Sequence, residues 1–453
     1  MIYEINRSNG NRSRKWLLLA VCLPFSICQA QQKWSLQECI DYAINHNVNV
    51  QQRAVQINKQ EITLDIAKNA WLPQLNLQMY QLFGFETPAG ASTTTDYSMS
   101  IGEGGSATIA NATLSMPLFD GFKIKNQIQA DKFSLSSATA NLEAAKKDIS
   151  IQVATYYLEC LYYKGMVDVT RQQVETSREL VNRAAALVED GKRPRSEQAD
   201  AEAQLASDEH TLVNDEGKYT LSLVKLAHVL NMPDVENFRI ADDEQDLQLT
   251  GDTTLHSPQL IYENTVASWP SLVAAQSNIR QSEHLLKAAK ADYYPKIDLV
   301  GSVGTSYYNL FHSSYYDHFV RQVDKNRGEI VGLSLTYPIF NRFLTRNSVK
   351  RASVDILEKK LAYEDARLKL REDIQTAYYN ASVAQKKQQS AAKACEASRI
   401  STDYEQIRYE EGRSSIFDLI QARQKYLKAQ QDMVQAKYEY LIRQRILNFY
   451  TQR

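Results

Sequence analysis

With 453 residues the chain is long enough for two or three ordinary domains, and a formal net charge of −1 with 23% charged residues leaves no basic excess for nucleic acid or an anionic surface. Mean hydropathy is negative and no run of about 18 apolar residues follows the N-terminus, which excludes helical membrane spans. Only 16 glycines and 10 prolines punctuate a chain rich in Ala, Gln, Glu, Lys and Leu, so long helices are expected.

Residues 1–30 read as an export signal. Arg12, Arg14 and Lys15 form a basic head, Trp16 to Ile27 an apolar core, and "CQA" ending at Ala30 a cleavage site before Gln31. Cys22 and Cys28 follow Val21 and Ile27, where a lipidation site has a small residue, so a lipid anchor is disfavoured. Cleavage leaves Cys39, Cys160 and Cys395, whose spacing suits neither a zinc site nor a disulfide framework. Ordinary buried side chains are expected there.

The rest reads as one unit written twice, 31–230 and 260–453, around a 231–259 linker that is acidic and carries Pro and Gly. "NAWLPQLNLQMY" (69–80) matches "ADYYPKIDLVGS" (291–302), which pairs Pro73 with Pro295. "MPLFDGF" (116–122) matches "YPIFNRF" (337–343), pairing Pro117 with Pro338 and Phe119 with Phe340. "LVEDGKRPRSEQADAEAQ" (187–204) matches "RYEEGRSSIFDLIQARQK" (408–425) through Gly191 and Gly412. All three markers keep an offset of 221 or 222 positions, a register that chance repetition would not hold.

Each unit opens with a helix, about 35–71 and about 260–293, stopped by Pro73 and Pro295. Two strands follow, about 73–86 and 106–118 in the first unit, about 295–307 and 329–339 in the second. Leu75, Leu77 and Met79 alternate with Gln74, Asn76 and Gln78, and Val331, Leu333 and Leu335 with Gly332, Ser334 and Thr336. That period of two marks a strand with one apolar face. A long helix comes next, about 122–188 and about 343–410, then a break at Gly191 or Gly412 and a returning helix. Some 67 helical residues extend about 100 Å, beyond any ordinary globular domain, and their composition suits coiled-coil packing.

Strands of about ten residues can cross a tilted bilayer, and a sheet in hydrocarbon must close because nothing else satisfies its edges. Four strands cannot enclose a lumen, so copies of the chain are expected to pool them; three copies give twelve. The same alternation would suit a soluble sheet with one buried face. The export signal, the lack of an ordinary core pattern and the helix length favour the membrane.

In this order of helix, Pro, strand, loop, strand, "P-[LI]-F" and long helix, the chain resembles the TolC-type outer membrane efflux family. The turn "RYEEGRSSIFDLIQARQ" (408–424) and the closing "AKYEYLIRQRILNFY" (436–450) carry the likeness too, which runs from "WSLQECIDYAINHN" (34–47) onward. The resemblance implies a mainly α-helical protomer with a membrane β-barrel: a homotrimeric, twelve-stranded barrel in outer membrane lipid, on an α-helical tunnel through the periplasm of a Gram-negative bacterium. It implies a passive exit duct serving an inner-membrane RND or ABC pump through a periplasmic adaptor (membrane fusion) protein, with no cofactor and no enzymatic activity. The alternative is a periplasmic scaffold without a pore; adaptors usually carry one helical hairpin, and two are read here.

On this resemblance Pro73, Pro117, Phe119, Pro295, Pro338 and Phe340 mark the barrel-to-tunnel junctions, where Pro ends a strand and aromatics meet the interface. The turns at Gly191 and Gly412 become the periplasmic tip, where the adaptor docks and the aperture narrows. Tyr409, Gly412, Ser415 and Asp418 match the second tip motif; Glu197 stands in place of Asp in the first, and "KRPR" (192–195) departs from the family's small and aliphatic residues. Glu197 and Asp418 open the returning helices, where a carboxylate can simply cap. The sharper reading has rings of these acids, with Arg408 or Arg413, closing the mouth. The outer loops are unlike each other: "GEGGS" (102–106) lacks the ending of a phosphate loop, and the other holds His312 and His318 among aromatics. No catalytic constellation is present.

Overall fold

The computed structural model describes residues 33–84, 105–233, 238–241, 257–310 and 318–451; the export signal, most of the linker and His312 lie outside them. Helix α1 (Leu36–His46) starts at a reciprocal cap in which Glu38 N donates to Ser35 Oγ and Ser35 N to Glu38 Oε2. Asn47 separates it from α2 (Val48–Asn69), and Pro73 turns the chain into β1 (Gln74–Gly84). Strand β2 (Gly105–Phe119) returns to α3 (Lys123–Glu189), a single helix of 67 residues, and α4 (Arg195–Val229) runs back along it. The second unit supplies α5 (Pro258–Thr265), α6 (Pro270–Ala291), β3 (Lys296–Leu310), the short α7 (Phe319–Lys325) and β4 (Gly328–Thr336). Helix α8 (Leu344–Glu410), again 67 residues, pairs with α9 (Ile416–Thr451).

The strands form one antiparallel sheet in chain order. Its register stacks Leu75, Leu114, Gly301 and Val331 in one row, and Asn76, Thr113, Ser302 and Ile330 in the next. Paired residues share a face, so an apolar face and a largely polar one result, with Ser302 donating to Asn111 at 2.7 Å on the polar side. None of the described residues covers the apolar face: Leu75 and Leu77 are each 71% exposed and Val331 82%. A soluble sheet would bury it. At the outer end β3 outruns β4, and the side chain of Gln322 on α7 takes over, donating to Tyr308 O and accepting from Tyr308 N at 3.0 Å.

The two proline motifs build matching corners. In "DGF" Gly121 and Phe122 have φ of +69° and +67°; in "NRF" Arg342 and Phe343 have +55° and +61°. Two left-handed residues in a row swing a strand into a helix, and in both corners the paired phenylalanines meet edge to face at 5.5 Å (Phe119 with Phe122, Phe340 with Phe343). Asp120 caps the first helix by accepting from Ile124 N at 2.6 Å. Gly121 is obligatory, because a Cβ there would lie 2.7 Å from Ala291 O at the end of α6. Pro117 sits at a register shift in β2, whereas β4 stops at Thr336, ahead of Pro338 and an exposed Phe340. Pro73 and Pro295 immediately precede β1 and β3.

Three small apolar clusters hold the helices. One gathers α1, the middle of α3 and the end of α4 around Ile40, Tyr157, Leu158 and Leu226, with Cys39 and Cys160 buried in it as free thiols. The second joins Leu272, Ile374 and Leu447, and the third lies at the far end of the hairpins.

Candidate functional site: the hairpin tip

Both hairpins reverse at a glycine in the left-handed region, Gly191 with φ +69° and Gly412 with φ +73°. The turns lie side by side because Leu180 and Ala184 on α3, Ala201 on α4, Tyr409 on α8 and Ile416 and Leu419 on α9 form one buried cluster. Polar bonds reinforce it: Arg183 pairs with Glu410 at 2.6 Å, and Arg423 donates to Gln406 Oε1 at 2.6 Å and to Thr176 O at 3.4 Å. Hydrogen bonds from Gln406 and Arg183 hold the Glu410 carboxyl below its usual range, and burial lowers the Arg423 guanidinium.

The two acids that match in sequence do different things. Asp418 is an N3 cap: its Oδ2 accepts from Ser415 Oγ at 2.7 Å and from Ser415 N at 3.2 Å, while Asp418 N donates to Ser415 Oγ. These bonds keep its pKa low. Glu197 instead crosses to the other hairpin and accepts from Tyr409 Oη at 3.2 Å. Tyr409 is only 3% exposed, and desolvation followed by the nearby Glu197 charge pushes its phenol up. Arg408 and Arg413 are occupied locally, on Glu405 at 2.9 Å and Glu411 at 3.3 Å. The cation on Glu197 is Arg193, at 3.3 Å, from the "KRPR" run. Sequence reading marked that run as a departure and gave it no role; Arg183 and Arg423 carried no signal beyond their charge.

Comparison with known proteins places this architecture. The family model described as "Outer membrane efflux protein" matches residues 39–232 and 261–451, one block per repeat. The chain belongs to the outer membrane efflux protein family. Among curated relatives it is 24% identical to Nodulation protein T of Rhizobium leguminosarum bv. viciae, over 89% of this chain and 78% of that one. It is 21% identical to outer membrane efflux protein BepC of Brucella suis biovar 1, over 88% and 81%. The fold matches a membrane protein from Pseudomonas aeruginosa with TM-score 0.76 at 17% identity (94% and 93% covered). It also matches the CmeC outer membrane channel of Campylobacter jejuni with TM-score 0.74 at 17% identity (92% and 85% covered).

As an outer membrane efflux protein, the chain is a channel component of a Gram-negative outer membrane, reaching into the periplasm, and not an enzyme. Among its described residues no helix is long and apolar enough to cross a membrane. Leu75, Leu77, Met79, Val331 and Leu333 share one face of the sheet, and Asn76, Asn111, Thr113 and Ser302 the other, the division that a barrel strand makes between lipid and lumen.

Proposed function

We propose that this efflux protein is the homotrimeric exit duct of a tripartite efflux or type I secretion system, passively conducting what an inner-membrane RND or ABC pump delivers. The observation that carries the trimer is a seam left open from end to end. Among the described residues, strands β1 and β4 each have one unpaired edge. Below the sheet, α2 packs on α3, α3 on α6 and α6 on α8, so α2 and α8 end the row of helices. Both end helices carry exposed apolar residues seven apart: Val48, Val55 and Ile62 on α2 (52%, 65% and 62% exposed), and Val354, Leu361 and Leu368 on α8 (64%, 63% and 61%). Heptad spacing is the pattern of a helix seam, and the partner that offers both the missing strand and the missing stripe is another copy. Three copies close twelve strands, with room inside for a lumen.

The tip is the periplasmic end, and we assign it the adaptor contact and the closable aperture. Gly191 and Gly412 shape the turns, Ser415 and Asp418 fix the start of α9, and Tyr409 with Glu197 ties the two hairpins together. Arg408 and Arg413, exposed at the second turn in ion pairs with Glu405 and Glu411, add charge to the surface we assign to the adaptor and the aperture. The test is native mass spectrometry of detergent-extracted protein together with conductance in planar bilayers. A trimer with small, discrete conductance steps supports the duct; a monomer that passes no ions overturns it.

A further inference from the structure

The two tips part at one position. In the second hairpin Ser415 precedes α9 and engages Asp418 in a reciprocal cap. In the first, Pro194 holds the equivalent place before α4 and makes no side-chain cap. Proline offers neither an Oγ to accept from the N–H of Glu197 nor an N–H to donate to its carboxylate, so that cap cannot form. Glu197 is released from its own helix. Its Oε1 accepts from Arg193 Nη1 at 3.3 Å and its Oε2 from Tyr409 Oη at 3.2 Å. Arg193 closes the ring of contacts: its guanidinium lies 5.1 Å over the Tyr409 ring and its Nη2 donates to Tyr409 O at 3.5 Å. The side chains of Arg193 and Glu197 are 23% and 13% exposed, so water screens the group weakly.

We propose that Arg193 is a positioning residue of the aperture: a clasp, set by Pro194, that holds the first hairpin to the second within one protomer. The inference rests on the tip being the closable end of the duct. An arginine suits the role because a planar fork can bond a carboxylate and a carbonyl while its face stacks on a phenol, whereas a lysine ammonium cannot do all three. Opening then requires Arg193, Glu197 and Tyr409 to separate as a group.

Single-channel recording in planar bilayers, with Arg193→Ala, Arg193→Lys, Pro194→Ser and Tyr409→Phe in the full-length trimer, tests this. Arg193→Ala raises the ratio of open to closed dwell time about tenfold, equivalent to about 1.4 kcal/mol, and lysine restores only part of the loss. Pro194→Ser acts in the same direction, because serine returns Glu197 to its own helix cap. Arg193→Ala combined with Tyr409→Phe exceeds the larger single effect only slightly, since both cut one contact group. A merely structural arginine would give additive effects and indifference to lysine. Arg193→Gln, which keeps the side-chain length, replaces Arg193→Ala if the alanine protein does not assemble. If the arginine and proline variants gate like wild type while Tyr409→Phe opens the pore, the clasp does not exist. A wild-type trimer that never conducts refutes the duct itself and is read before any variant.

Discussion

Replacing Val55 and Ile62 on α2 by serine should prevent trimer assembly without unfolding the protomer. In one protomer these side chains are 65% and 62% exposed, on a face that no other described element covers. Fully burying a Val or Ile side chain contributes about 1.5–3 kcal/mol, so covering the remaining two-thirds contributes about 1–2 kcal/mol each. The pair then supplies about 2–4 kcal/mol at one seam, and a closed ring of three repeats it to about 6–12 kcal/mol. Loss of that size shifts a detergent-extracted sample from trimer to monomer at micromolar concentration, read by native mass spectrometry or light scattering. Val55→Ile with Ile62→Leu, which keeps the apolar surface, leaves the trimer intact. If the serine pair assembles and dissociates on heating as wild type does, the α2 stripe is not a seam, and the assignment of α2 and α8 as neighbours across protomers fails.

Gly121→Ala should destabilise the protein more than Gly191→Ala, as measured by thermal melting in detergent. Both force alanine into a left-handed conformation, costing about 1–2 kcal/mol, but only at Gly121 does the new Cβ meet backbone, 2.7 Å from Ala291 O. The Tyr409 phenol is raised above its ordinary value of 10.0, so its bond to Glu197 is fully present below about pH 10 and is lost as pH rises through the shifted value. Wild-type conductance should therefore climb only in strong alkali, and Tyr409→Phe should be open at neutral pH with that alkaline step missing. Asp418 titrates below its ordinary value of 3.8, so its cap is present above that pH and fades as pH falls through the lowered value. Asp418→Ala should speed amide exchange over the first turn of α9 at neutral pH, with little effect on pore opening.

Much of the architecture was legible because backbone punctuation is scarce in this chain. With so few glycines and prolines, Pro73, Gly191 and their repeats stand at true boundaries, Pro117 falls two residues inside the end of β2 and Pro338 two past the end of β4, and both long helices run unbroken for 67 residues between corner and tip. Alternation marked the four strands, because residues on one face of the sheet are apolar and those on the other largely polar. The left-handed corner was only half readable: Gly121 announces it, but Arg342 holds the same conformation with φ +55°, imposed by the fold around it. Strand β4 ended at Thr336, ahead of its proline, because the β3 partner of its ladder begins at Lys296, opposite Thr336.

The tip shows most clearly where sequence reading stops. Glu197 and Asp418 sit at matching positions in two copies of one unit, and helix-dipole reasoning gives them one role. The difference lies three residues earlier, where Pro194 faces Ser415 across the repeat. That substitution says what Glu197 cannot do; it does not say where the carboxylate goes. The destination, Tyr409, is 212 residues away on another helix, and Arg193 reaches the same ring from the turn that proline stiffens. A local rule reads a cap or its absence from a few residues, whereas a clasp between hairpins depends on how four helices pack at Leu180, Ala201, Tyr409 and Leu419. Two equivalent turns stand in the two units. With proline where the other turn has serine, the carboxylate three residues on bonds to the other hairpin and not to its own helix, and at the tip we assign to the aperture such a bond acts on the opening.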